Sequence, residues 1–197
     1  MERITIAGTA GRKEDARLLD AEVYDLMIEK TLETILEASN AKEPITLVSG
    51  GAAYADHIAV KLYLAHPDIF NLKLYLPAPF EAGKFRDTGD RDWKTNPGGT
   101  SNFYHRQFSQ KTGTNSFNEI QKAIDMGAEV EVHDGFFARN AKMADSEIAI
   151  CLTFGENGIK DGGTKNMADA YLKKHKVAPK LYHIPIAELT QAPNQDI

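Results

Sequence analysis

The chain has 197 residues, 42% hydrophobic and 26% charged, with a formal net charge of -5. That length supports one substantial core rather than several, and the acidic balance argues against nucleic-acid binding through bulk charge. No apolar run approaches membrane-spanning length and Met1-Glu2-Arg3 runs straight into a strand-like segment, so neither an anchor nor a signal peptide is expected. The single cysteine, Cys151, excludes an internal disulfide and suits a reducing cytoplasm, where the protein is expected to reside.

Arg3 to Ala7 alternates as a strand and meets the turn Gly8-Thr9-Ala10-Gly11-Arg12. The glycine spacing is not the G-x-G-x-x-G of dinucleotide-binding folds. Asp20 to Ala38 reads as a long amphipathic helix, with Tyr24, Ile28, Leu32 and Ile35 on one face. Ile45, Leu47 and Val48 make a short apolar strand that stops at Ser49-Gly50-Gly51. From there Ala55, Ile58, Ala59 and Leu62 share one face of a helix. Leu72 to Leu76 is a third strand, ended by Pro77 and Pro79. Ala82 to Asn115 loses all period, and so long a stretch is expected to be a lid, a binding loop or an insertion with hidden helix. Its Trp93, Phe103, Tyr104 and Phe108 argue against disorder.

Ser116 followed by Glu119 is a capping box that opens a helix running to Gly127. Ala128 to His133 alternates as a strand, and Phe137 to Ala144 is a short helix. Glu147 to Phe154 is a nearly continuous apolar strand in which Cys151 packs rather than reacts. Gly162-Gly163-Thr164 opens a helix through Met167, Ala170 and Leu172, and Leu181 to Ile186 is the last strand. Strands alternating with helices predict an α/β, Rossmann-like fold: a mostly parallel sheet of about six strands with helices on both faces. It is expected to form a single domain over residues 1–190, with residues 82–115 as a long irregular loop and 191–197 as a polar tail.

Three small-residue turns follow strands: Gly8 to Arg12, Ser49 to Ala52, and Gly162 to Thr164. In a doubly wound sheet all strand C-termini lie on one edge, so these turns are expected to converge there. Unpaired amides at helix N-termini and hydroxyls of Thr9, Ser49 and Thr164 suit a phosphate, and Arg12 can add a bidentate contact. The six histidines show no metal-ligand spacing. Neither a G-x-S-x-G elbow nor a G-x-x-x-x-G-K-[ST] loop occurs. No metal and no cofactor is expected. Trp93, Tyr104 and Phe108 can stack on a nucleobase.

The set Ala7 to Arg12, Val48 to Asp56, Arg139-Asn140 and Gly162-Gly163-Thr164 resembles the SLOG superfamily. That group of Rossmann-like proteins is related to the LONELY GUY phosphoribohydrolases and to DNA-processing protein A. The resemblance spans about Arg3 to Ile186, and the Ser-Gly-Gly-Ala and Gly-Gly-Thr turns are its most specific parts. It implies a nucleotide-derived ligand, such as a nucleoside phosphate or an ADP-ribose derivative. It places Gly8, Thr9, Ser49, Gly50, Gly51, Gly162, Gly163 and Thr164 against phosphate. Ala52 and Asp56 belong to the second turn, with Asp56 holding that turn or meeting a ribose hydroxyl, and Arg139-Asn140 is expected to contact ligand. The phosphoribohydrolase pattern Pro-Gly-Gly-x-Gly-Thr-x-x-Glu is broken: Asp161 stands at the proline, the glycine spacing is shorter, and Met167 falls at the catalytic glutamate. Cleaving an N-glycosidic bond calls for carboxylates. Glu81, Asp134 and Glu156 sit near predicted strand ends, and no catalytic residue is assigned. The expected function is binding of a nucleotide-derived molecule, as a sensor or sequestering protein, with a homodimer as the expected assembly. Its alternatives are a phosphoribohydrolase-like N-glycoside hydrolase acting on nucleoside monophosphates and a single-stranded DNA-binding module.

Overall fold

The computed structural model describes residues 1–42, 44–160 and 162–191. Its strands in chain order are β1 (Arg3–Gly8), β2 (Ile45–Ser49), β3 (Phe70–Leu76), the short antiparallel pair β4 (Phe80–Glu81) and β5 (Lys84–Phe85), then β6 (Glu129–Val132), β7 (Ile148–Thr153) and β8 (Lys180–Pro185). All but β4 and β5 form one sheet in the order β6-β3-β2-β1-β7-β8, with every neighbouring pair parallel. The α/β architecture is thus a six-stranded parallel sheet with helices on both faces.

Period-two alternation sorts the side chains. Ile4, Ile6, Ile148, Ile150 and Leu152 pack on one face against α2 (Ala21–Ala38) and α3 (His57–Ala65). Ala7, Ala149 and Cys151 face the other way, towards α6 (Phe136–Met143) and α7 (Gly163–Lys174). Those small residues let the second helix layer sit close. Cys151 is fully buried, and burial pushes its thiol up to about 12, so it packs as the sequence suggests. Helix α2 begins where expected because the Asp20 side chain accepts a hydrogen bond from the Val23 amide at 2.9 Å. Among the described residues no helix is long and apolar enough to cross a membrane.

Three expectations change. The stretch 82–115 is not irregular throughout: α4 (Pro97–Thr112) fills half of it. Asn96 caps this helix by accepting from Gly99 N, Pro97 stands in its first turn, and Gly113 ends it in the left-handed region. Next, α5 (Ser116–Asp125) is capped by Asn115 rather than by Ser116. Glu119 is drawn away from the expected capping box by His57 at 2.7 Å and Lys61 at 2.6 Å. Finally, α3 starts at His57, so residues 53–56 make a turn rather than a first helical turn. Tyr54 enforces this by adopting a φ of 58°, a left-handed conformation that costs a bulky residue about 1–3 kcal/mol. Two further short helices, α1 (Asp15–Leu18) and α8 (Ile186–Leu189), carry no clear periodic signal. Asp161 and the tail from 192 onwards lie outside the described residues.

Candidate functional site

From β1 the chain steps outward through β2, β3 and β6, then returns across the sheet to β7 on the other side of β1. The β1–β7 boundary is therefore the switch point of the topology, and a crevice opens outside the strand ends there. A cavity of about 330 Å³ occupies it, inside the usual range of roughly 300–1,000 Å³ for small-molecule sites.

The first corner contributes Gly8, Thr9 and Arg12 to the wall. Gly8 is dictated by packing: a Cβ there would overlap the Leu152 carbonyl oxygen and come within 2.7 Å of the Ala55 Cβ. The Thr9 hydroxyl donates to Asp15 Oδ2 at 2.6 Å and accepts from the Gly11 amide at 3.2 Å. Asp15 Oδ1 in turn accepts from Lys160 Nζ at 2.7 Å. Thr9, Asp15 and Lys160 thus form one chain along the cavity wall, and the Thr9 proton is already committed.

The second corner divides. Ala52 and Asp56 line the cavity, while Ser49, Gly50 and Gly51 stand behind its wall. The Ser49 hydroxyl donates to the Asp56 carbonyl at 2.8 Å and accepts from the Gly51 amide at 3.0 Å. The Gly50 amide donates to Asp56 Oδ2 at 3.1 Å, its carbonyl accepts from Arg139, and the Gly51 carbonyl accepts from His105 at 2.9 Å. The amides of Ala52 and Gly8 also stabilise the Asp56 carboxylate. The Asp56 carboxylate thus engages this turn from within the chain. The helix begins only at His57, later than the sequence suggested, and the Ile58 and Ala59 amides donate to the Ala55 and Asp56 carbonyls. Burial is the largest influence on Asp56 and raises its carboxyl above the ordinary range, opposed by Arg139 and the three amides.

The third corner is open. Gly162, Gly163 and Thr164 line the cavity at the start of α7, whose N-terminus has no side-chain cap among the described residues. The first-turn amides of this twelve-residue helix carry no intrahelical partner and a partial positive charge. A Cβ at Gly163 meets nothing within 4 Å. Among the described residues the Thr164 hydroxyl has no protein partner.

Helix α6 closes one side. Arg139, 8% exposed, donates to the Gly50 carbonyl and faces Asp56 Oδ2 at 3.7 Å. Asn140 donates to the Gly163 carbonyl at 3.1 Å and to Asn166 Oδ1 at 3.2 Å, tying α6 to the start of α7. The Phe136 ring lies between two guanidinium groups, with Arg139 Cζ at 5.3 Å and Arg12 Cζ at 5.7 Å from its centroid. Arg12 also stacks on Tyr104 at 5.1 Å. The wall is thus an alternating ladder of Arg139, Phe136, Arg12 and Tyr104. Among the described residues Arg12 pairs with no carboxylate.

Asp15, Lys160 and Phe136 escaped the sequence reading. Phe136 stands three residues before Arg139, which is the one local hint that both share a helix face. Of the residues singled out for stacking, Tyr104 lines the cavity and Trp93 is exposed beyond it. Phe108 is fully buried, in contact with Tyr24, Tyr54 and His57. Glu81, Asp134 and Glu156 are absent from the cavity wall. Among the described residues no cluster of three or more metal-ligating side chains occurs.

No family model matches the chain. An uncharacterized protein of Acanthamoeba polyphaga mimivirus is 42% identical to it over 168 residues, covering 82% of this chain and 86% of that protein.

Proposed function

The chain belongs to the same family as that uncharacterized mimivirus protein, and for it we propose binding of a nucleotide-derived small molecule in the β1–β7 cavity, as a cytoplasmic sensor or sequestering protein of the SLOG type. The observation that carries this reading is an imbalance of charge. Asp15 and Asp56 are both engaged internally, by Thr9 with Lys160 and by Arg139 with main-chain amides. Among the described residues, Arg12 pairs with no carboxylate and the start of α7 has no side-chain cap, and both face the cavity as positive ends. An anion that also presents a flat ring satisfies both the amides and the Arg12–Tyr104–Phe136 ladder. Within this reading the phosphate rests on Gly163 and Thr164, and Ser49 to Gly51 act as the support that fixes Asp56.

A second reading, hydrolysis of the N-glycosidic bond of nucleoside monophosphates, draws on one observation. Asp56 puts a carboxyl with a raised pKa into the cavity wall, the type of group that protonates a leaving base. Thermal-shift titration with nucleoside mono- and diphosphates and ADP-ribose tests the common premise, because a ligand at a hundred times its Kd adds about 2.7 kcal/mol to stability. Lack of any shift overturns it. Chromatography of the recovered ligand then separates the readings: intact nucleotide supports binding alone, and free base supports hydrolysis.

A further inference from the structure

A second cavity, of about 430 Å³, opens beside the first and shares Thr100 and Tyr104 with it. Its chemistry is different. Trp93 and Phe103 line it and are 40% and 49% exposed, although side chains of this size ordinarily seek the core. Asp87 stands at the same rim. Its Oδ1 accepts from the Gly89 amide at 2.8 Å and from Asn96 Nδ2 at 2.7 Å. Asn96 is itself buried and fixed, since its amide also reaches the Asp90 carbonyl, the Thr88 amide and the Gly99 amide. The hydrogen bond from Asn96 is the main reason that the Asp87 carboxyl lies below the usual carboxylate range. Among the described residues its Oδ2 has no donor, so one oriented acceptor is left over.

The rim is held against α4 by close contact. A Cβ at Gly98 would overlap the Arg86 carbonyl, and one at Gly99 would come within 2.9 Å of Asp87 Oδ1. Gly98-Gly99 at the start of α4 therefore serve packing, and they leave Thr100 on the boundary between the cavities.

We propose that the second cavity is the ring-binding half of one continuous site, and that the ligand is a two-headed nucleotide derivative with nucleosides joined through a phosphate bridge. The bridge and one nucleoside occupy the cationic cavity, past Arg12 and Tyr104. The second base stacks on Phe103 and Trp93, and a ribose hydroxyl or an exocyclic amine donates to Asp87 Oδ2. Asp87 and Asp90 outnumber Arg91 in the lining, so the second cavity is less suited to an anion than the first. This inference rests on the phosphate reading of the first cavity.

Trp93 is the chain's single tryptophan; it lines the second cavity and its ring lies 6.1 Å from Phe136 of the first, so ADP serves as the control for emission changes that arise in the first cavity. The test titrates ADP and diadenosine diphosphate into the wild type and into Phe103→Ala, with calorimetry and fluorescence in parallel. Diadenosine diphosphate is expected to change Trp93 emission and to bind about tenfold tighter than ADP, as one stacked base predicts. Phe103→Ala is expected to remove that advantage; ADP affinity of the same variant is the baseline, because the Phe103 ring also meets Tyr104 edge-on at 5.2 Å. If ADP binds and the dinucleotide gains nothing, or if Phe103→Ala keeps the gain, the second subsite is overturned and the first reading stands. If neither ligand binds, the phosphate reading falls and takes this inference with it.

Discussion

Arg139 and Asp56 face each other in the cavity wall with Nη1 3.7 Å from Oδ2, and both side chains are at least nine-tenths buried. The pair is supported unevenly. Asp56 has main-chain amides around it, whereas Arg139 Nε has no partner among the described residues. Burial lowers the pKa of the guanidinium, and Asp56 opposes that shift. Each charge is therefore tolerated because the other is present.

Removing one partner leaves the other uncompensated. Asp56→Ala and Arg139→Leu are each expected to lower unfolding stability by about 3–5 kcal/mol. The double substitution is expected to cost clearly less than the two single losses combined, because no lone charge remains. Urea denaturation of the three variants measures this, and strict additivity would show that the pair is not coupled.

The glycines at the corners are expected to separate into two kinds. Gly8→Ala forces a Cβ onto the Leu152 carbonyl, a backbone atom in the paired strand, and should destabilise by about 2–3 kcal/mol. Gly163→Ala meets nothing within 4 Å and sits in the first turn of α7, so thermal stability should hold or rise slightly. Its Cβ would instead stand beside the proposed phosphate and weaken ligand binding. Melting curves with and without ligand distinguish the two, and equal melting losses for both would contradict the assignment.

The elements readable from sequence were those whose local signal agrees with their tertiary role. The Asp20 cap and the 3.6-residue period of α2, and the apolar run of β7, each serve one face or one layer. Helix α4 was hidden because it is polar, starts with a Gly-Gly pair and buries only a narrow strip including Asn102, His105 and Phe108. Its start at Asn96-Pro97 and stop at Gly113 were the available signs. At the site, the corners were legible because glycine marks tight turns. Which of their amides are occupied was not, since that depends on Tyr54 turning left-handed and on Asp56 folding back. The Lys160–Asp15 pair joins residues 145 apart, a distance that no local pattern encodes.

His105 makes stability fall in acid. The Gly51 carbonyl can only accept, so Nε2 carries the proton and Nδ1 accepts from Ser116. Burial, with the neighbouring His57, lowers the pKa of this neutral ring to about 3, against 6.5 for the unfolded chain. A group whose folded pKa is depressed contributes fully above the unfolded value and loses its contribution as pH falls through the window from 6.5 to about 3. The expected slope from this residue is roughly 1 kcal/mol per pH unit. His57, also shifted down by burial, adds in the same direction. Comparing the pH slope of wild type and His105→Gln isolates the term; an unchanged slope would mean that His105 does not titrate in that window.

Arg12 offers the cleanest separation of binding from folding. It is exposed, stacked between Tyr104 and Phe136, and paired with no carboxylate among the described residues. Arg12→Ala should therefore change stability by no more than about 0.5 kcal/mol. The same change removes a charge facing the cavity, and affinity for nucleoside phosphates is expected to drop about tenfold or more, corresponding to the roughly 1.5–3 kcal/mol of a charge-assisted hydrogen bond. Arg12→Lys keeps the charge and loses the planar stack, so it should fall between the two. Calorimetric titration at low and high salt checks both effects, since an ionic contact weakens as salt rises. Affinity that survives Arg12→Ala unchanged would take Arg12 out of anion recognition and leave it to the α7 amides.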